Sequence, residues 1–208
     1  MAYFGKGDNE FTLCKLMNYH NQDMKETIAR GTLKNYFTTQ KYLQNYLKEQ
    51  LHTSDILLKE INYKVVTSFE YYLKSFNPLD HHQPLGNNGV MKHMERFRKM
   101  INVALKNEWM EKDPFRAYKL KFNKYERGYL TAEELELIEN KQFKIERLHY
   151  VKDLFIFSCY TGLAYTDTIN LTPLNLAKGI DNESWLITKR QKTGTSVKIP
   201  LLPKQLKS

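Results

Sequence analysis

The chain has 208 residues, 41% hydrophobic and 13% aromatic, enough apolar material for a packed core in one or two domains. Its formal net charge of +9 points to a polyanionic partner, and the aromatic content argues against a disordered basic tail. Two cysteines exclude a disulfide framework, and no apolar run approaches the ~18 residues that cross a bilayer, so a soluble intracellular protein with reduced thiols and no membrane partner is expected. The first residues, Met1 to Gly5, carry no signal-peptide apolar region.

Phe11, Leu13, Leu16, Met17, Met24 and Ile28 recur at helical spacing and predict a helix over 12–29. Arg30-Gly31 should break it, with Thr32 as N-cap of the next helix. There Leu33, Tyr36, Phe37, Leu43, Tyr46 and Leu47 share a face read as core, while Lys34, Thr38, Lys41 and Lys48 lie elsewhere. His52 to Asp55 reads as a turn, and Asn62 as the cap of a helix with Tyr63, Val66, Phe69 and Leu73 on its buried face. Asn77-Pro78 stops it, and 79–88 is a loop. His81-His82 is no metal site: adjacent histidines do not easily face one ion, and no Cys or acidic cluster joins them at ligand spacing.

A long helix is expected over 88–110, with Val90, Met94, Phe97, Ile101, Ala104 and Leu105 as its stripe. Its other side carries Lys92, Arg96, Lys99 and Lys106, with His93 and Arg98 beside them and Glu95 as the only acid between Asp80 and Glu108. Such a face suits a phosphate backbone, and it equally suits plain solvation. Asp113-Pro114-Phe115 ends the helical part. Residues 116–127 then interleave Lys119, Lys121, Lys124 and Arg127 with Tyr118, Phe122 and Tyr125, which fits a segment crossing a duplex or an ordinary linker. The domain boundary is placed here, giving 1–122 and 123–208.

In the second part Thr131-Ala132-Glu133-Glu134 is a capping box, and Leu135 and Ile138 give its helix a buried side. Glu133, Glu136 and Glu139 suit the helix dipole and form no catalytic cluster. A nearly apolar helix over 148–159 should centre the core. It is broken by Thr161-Gly162 and followed by a short helical pattern containing Asp167. Trp185 to Arg190 and Val197 to Pro200 read as hairpin strands around the turn Lys192-Thr193-Gly194-Thr195.

The run Ser158-Cys159-Tyr160-Thr161-Gly162-Leu163-Ala164-Tyr165 and the turn Arg190-Gln191-Lys192-Thr193 resemble the start of the catalytic domain of tyrosine recombinases. This is the phage-integrase family, in the form carried by Bacteroidetes mobile elements. The resemblance implies a mainly α fold: a helical SAM-like core-binding domain followed by a partial α+β catalytic domain with a β-hairpin. It implies double-stranded DNA as partner, a homo-oligomer on DNA (a tetramer in the full-length parent), DNA integration and recombination as the activity, no cofactor and no metal. A bacterial cytoplasmic, nucleoid-associated location follows. DNA contacts are expected from Lys34, Thr38, Lys41, Lys92, His93, Arg96, Lys99, Lys119, Lys121, Lys124, Arg127 and Arg190.

Family members attack a phosphodiester with a tyrosine, leaving a 3′-phosphotyrosine and a free 5′-hydroxyl. Charge builds on the non-bridging oxygens, and the departing oxygen needs a proton. The resemblance makes Lys192 the leaving-group acid and Asp167 a structural support. Ala164 stands where most of the family has its first arginine, as in some other members of this branch, and Arg190 is the candidate replacement. The second motif set, His-x-x-Arg, a further His or Trp and the tyrosine, has no counterpart: no histidine follows His149, no tyrosine follows Tyr165 and no arginine follows Arg190. The expectation is a C-terminally truncated DNA-binding fragment that does not cleave by itself, with Leu154, Phe155 and Phe157 left exposed. The alternatives are an inactive regulator that occupies integrase sites or pairs with a full-length partner, and a helical interaction module without a nucleic-acid role.

Overall fold

Apolar residues at helical spacing wind the first part of the chain into four helices, α1 Leu13–Asp23, α2 Arg30–Gln50, α3 Tyr63–Ser75 and α4 Asn87–Lys106. The computed structural model describes residues 11–23, 25–77, 83–180 and 182–201, so the His81-His82 pair and the first ten residues lie outside the described residues. The chain divides into two compact units, 1–125 and 126–208.

In the first unit all four helices pack together except that α1 and α3 are joined through the other two. The interior is organised by five rings in edge-to-face sequence. Tyr46 of α2 meets Phe69 of α3 at 5.4 Å between centroids, Phe69 meets Phe97 of α4 at 5.6 Å, Phe97 meets Phe115 at 5.2 Å, and Phe115 meets Tyr118 at 5.5 Å. The chain entering α1 is tied to the loop before α3: Leu13 N–H donates to Ile56 C=O at 2.9 Å and Leu58 N–H to Phe11 C=O at 2.8 Å. The Asp55 carboxylate accepts from the Cys14 N–H at 3.0 Å and caps that helix start. Burial, reinforced by this carboxylate, pushes the Cys14 thiol up to about 11 and keeps it protonated.

Several expectations are corrected. α1 ends at Asp23, not at 29: Lys25 N–H bonds to Gln22 C=O and residues 25–27 turn. α2 begins at Arg30 with Ala29 as N-cap, so Arg30-Gly31 continue the helix and Thr32 lies inside its first turn. Phe37 and Tyr63 are each 51% exposed, because each sits at the flank of its helix's stripe; Thr39 takes the inward place on α2. Asn62 does cap α3, its side-chain oxygen accepting from Lys64 N–H at 2.9 Å and Val65 N–H at 3.2 Å. α4 stops at Lys106 and not near 110, since Trp109 N–H turns back to Ala104 C=O at 2.9 Å.

The segment after α4 is part of the helical unit, without regular secondary structure of its own. Phe115 is fully buried, and the Tyr118 hydroxyl donates to the Glu70 carboxylate at 2.7 Å. At the start of α4, Asn87 Nδ2 donates to Lys121 C=O at 2.8 Å. Asn88 Nδ2 donates to Asn123 C=O at 2.9 Å, and Asn88 Oδ1 accepts from Asn123 N–H at 2.7 Å. Two carboxamides therefore hold the strap 121–123 against the helix.

The second unit runs α5 Ala132–Glu139, α6 Glu146–Thr161, α7 Tyr165–Ile169, β1 Leu176–Lys178, β2 Ser184–Lys189 and β3 Ser196–Pro200. The capping box forms as the spacing predicts: Glu134 N–H donates to Thr131 Oγ1 at 3.2 Å, and Thr131 N–H to the Glu134 carboxylate at 2.9 Å. Leu135 and Ile138 are only half-buried. The strands make one antiparallel sheet in the order β1-β2-β3, with Leu186 paired to Leu176 on one side and Ile199 on the other. β1 was not expected, and Arg190 lies beyond β2, in the turn. Leu163, Leu186 and Leu201 form a small core with Phe157, Leu171, Val197 and Ile199 against it. Ile156 is the buried apolar residue of α6, whereas Phe155 is 44% exposed and Leu154 and Phe157 are half-buried. α6 is thus less enclosed than its apolar composition suggests.

Phe97→Ala is expected to destabilise the helical unit by about 3–5 kcal/mol, because it opens a cavity in the middle of the ring sequence. Urea unfolding followed by helical circular dichroism measures it.

Candidate nucleic-acid interface

α2 and α4 each carry a row at i, i+4 and i+7. On α2 Lys34, Thr38 and Lys41 are all exposed, with the Thr38 hydroxyl donating to Lys34 C=O at 3.0 Å. On α4 Lys92 and Lys99 are exposed and Arg96 is half-buried. Lys92 pairs with Glu95 at 2.8 Å; among the described residues Lys34, Lys41, Arg96 and Lys99 are in no ion pair. Long cationic side chains that make no ion pair among the described residues leave charge on these two helices available to an anionic partner.

His93 does not belong to that row. Its ring is buried at the seam between α2 and α4, where Nδ1 lies 2.8 Å from Thr39 Oγ1 and the Tyr42 ring packs edge-on at 4.8 Å. Helical spacing makes 93 a neighbour of the exposed Lys92 and the half-buried Arg96, yet the 100° step turns it inward. Burial, and secondarily the Arg96 charge, lowers its pKa to about 4. A neutral imidazole in a helix seam is a packing group, which corrects its assignment as a DNA contact.

In the strap, Lys119, Lys121, Lys124 and Arg127 are all exposed. Lys119 and Lys121 line a cleft with Lys74, Glu70, Tyr118 and Asn87. Phe122 lies under Lys92, the ammonium 5.1 Å from the ring centroid, so the α4 row and the strap meet at this point.

The second unit builds its site where α6, α7 and the hairpin turn converge. Gly162 ends α6 in the left-handed conformation at φ 66°, its N–H bonded to Ser158 C=O at 2.8 Å, and this lets the chain reverse into α7. Ala164 is the exposed N-cap of α7. Asp167, buried in the first turn of α7, accepts from the Gln191 N–H at 2.9 Å and faces Arg190 Nη1 at 3.9 Å. Arg190 Nη2 donates to Gly162 C=O at 2.9 Å. The guanidinium is therefore held between the Gly162 carbonyl and the Asp167 carboxylate, two residues that flank Ala164 in the chain. The turn closes through Gly194 N–H to Arg190 C=O at 2.8 Å, with Gly194 at φ 69°, and presents an exposed Lys192. Asp167 anchors the base of the turn that carries the lysine.

The residues missed from sequence are the connectors: Gln191 and Gly162, which act through the main chain, and Asn87 and Asn88. The adjacent Asn pair at a helix start was the available signal. Among the described residues no group of three His, Cys, Asp or Glu could hold a metal ion, and no helix is long and apolar enough to cross a membrane.

Residues 12–122 match the family model of the phage integrase SAM-like domain. No curated protein matches the chain. Among solved structures, it is similar to lambda integrase in a tetramer bound to a Holliday junction, with a TM-score of 0.73 and 16% identity over 99% of this chain and 58% of that one. A lambda integrase dimer bound to a COC′ core site matches with a TM-score of 0.71 and 16% identity over 91% and 60%. The Tn1549 transposon integrase in complex with a circular intermediate DNA gives 0.66 and 15% over 95% and 63%. The chain thus spans about 58–63% of the length of these relatives.

Lowering the pH from 6.5 to 4 is expected to destabilise the fold. In the unfolded chain His93 protonates near 6.5 and in the fold only near 4, so over that window the unfolded state binds the extra proton; stability is full above it and falls with pH, by on the order of 3 kcal/mol for this group. His20, lowered by burial, acts in the same sense. His93→Gln should flatten most of this slope in urea midpoints measured at several pH values.

Proposed function

The chain belongs to the phage-integrase, or tyrosine recombinase, family, and from that premise we propose that it is the duplex-binding front part of a site-specific recombinase that acts in DNA integration. In this reading 1–122 is the core-binding domain and 123–208 the first part of the catalytic domain. The observation that carries it is the pair of cationic rows on α2 and α4, within a fold whose relatives have been solved on DNA. Lys34, Thr38, Lys41, Lys92, Arg96 and Lys99 contact phosphates, displacing condensed counterions, and Lys119, Lys121, Lys124 and Arg127 continue the contact along the strap.

At the hairpin, Lys192 is the proton donor to the departing 5′-oxygen. Arg190 supplies the positive charge that Ala164 does not; its hydrogen bond to Gly162 C=O, two residues before Ala164, supports this substitution of one cation for another. Asp167 is a positioning residue: its bond to the Gln191 N–H holds the turn so that Lys192 keeps a fixed reach. Beyond the hairpin the sequence shows no His-x-x-Arg and no tyrosine, both of which cleavage in this family requires, so the activity proposed for these residues is duplex binding. Ala164, uncharged where most of the family has arginine, favours a second reading, an inactive regulator that occupies integrase sites or pairs with a full-length partner; sequencing the coding DNA past Ser208 separates the two.

Affinity for a generic duplex should fall by at least about 100-fold between 50 and 200 mM salt, and Lys92→Ala or Lys99→Ala should each reduce the log–log salt slope by about 1. A titration flat in salt sinks the reading.

In a recombinase carrying this sequence together with its nucleophilic tyrosine, Lys192→Ala should slow cleavage about 100-fold or more with duplex affinity unchanged. Suicide-substrate cleavage rates beside a mobility-shift titration measure both.

A further inference from the structure

Between α4 and the capped start of α5 the chain has no regular structure, and residues 121–130 are all exposed, so past the buried Phe115 and Tyr118 burial does not dictate its path. Side-chain amides do. The Asn88 carboxamide closes a ring with a single main-chain residue, accepting from Asn123 N–H at 2.7 Å and donating to Asn123 C=O at 2.9 Å. It takes both polar groups of that residue, as a neighbouring strand would. Asn87 holds Lys121 C=O at 2.8 Å, and the Met91 sulfur lies 3.3 Å from Lys121 N–H. Lys92, one turn into α4, covers the Phe122 ring between these two fixed points.

We infer that Asn87 and Asn88 are positioning residues for nucleic-acid binding: they preset the main chain of 121–123 so that Lys121 and Lys124 meet phosphates without first losing the freedom of a mobile connector. The inference rests on the duplex binding proposed above and adds to it two uncharged residues that touch no phosphate. Their contribution is preorganisation, and its signature differs from that of a lost cation. Removing a lysine takes away a released counterion and flattens the salt slope, whereas freeing the strap lowers affinity at every salt concentration.

The test uses the whole chain and a generic 30-base-pair duplex at several salt concentrations. Asn88→Ala should bind about three- to tenfold more weakly with the wild-type salt slope, keep its helical circular dichroism, and show faster amide exchange at Asn123. Asn123→Ala, which keeps both main-chain bonds to Asn88 and loses only the side-chain bond from Asn87 at 3.2 Å, should bind less weakly than Asn88→Ala, and Lys121→Ala should lower the slope by about 1. Wild-type affinity in Asn88→Ala, with exchange at Asn123 accelerated, overturns the inference, because the clamp then only shapes the free protein. If Asn88→Ala loses helix, Asn87→Ala, which removes the bond to Lys121 C=O, is judged by the same criteria. A wild-type chain with no duplex affinity overturns the binding reading itself and the inference with it.

Discussion

Five aromatic rings packed edge to face decide the geometry of the helical unit. Tyr46, Phe69, Phe97, Phe115 and Tyr118 come from α2, α3, α4 and the segment beyond, so one continuous contact fixes three helices and the beginning of the strap. Edge-to-face packing is directional as well as apolar, and this restricts how far each helix can rotate. Rotation matters because the exposed rows on α2 and α4 are defined by which way each helix turns. The Thr39–His93 contact fixes the same variable a second time, at the seam between those helices. The charge that faces outward is thus set by uncharged groups that face inward.

The second unit solves a similar problem with fewer residues. Its small leucine core is too slight to orient a hairpin tip, and a buried carboxylate takes over. Asp167 accepts from a main-chain N–H of the turn and stands opposite Arg190, whose other arm is spent on Gly162 C=O. A buried acid is costly unless its oxygens are satisfied, and here the satisfaction comes from the element that has to be held in place. Lys192 inherits its position from that arrangement without being part of it.

Features governed by neighbours in sequence could be read directly. The Asn62 cap and the Thr131–Glu134 box need only three or four residues, and the α4 stripe from Val90 to Ala104 follows from period alone. What depended on a remote partner was not legible. Phe37 and Tyr63 lie at stripe edges, where the next helix decides between inside and outside. His93 looks cationic beside Lys92 and Arg96 until packing against Thr39 and Tyr42 of another helix buries its ring. β1 has three residues and exists through its pairing with β2. The site behaved likewise: the turn and its lysine were visible as a local pattern, and Arg190 could be named, while its contact with Gly162 joins residues far apart in the chain.

The Asn88 ring has a bearing on how the strap can vary. Because the Asn88 carboxamide engages the backbone of Asn123, much of the strap's route is encoded in α4, with Asn87 adding a bond to the Asn123 side chain. Substitutions at 121 and 124 can therefore accumulate without redirecting the strap, provided the N–H at 123 is kept and proline is avoided there. It is a rail on which side chains can be exchanged over generations while the spacing of whatever they carry stays constant.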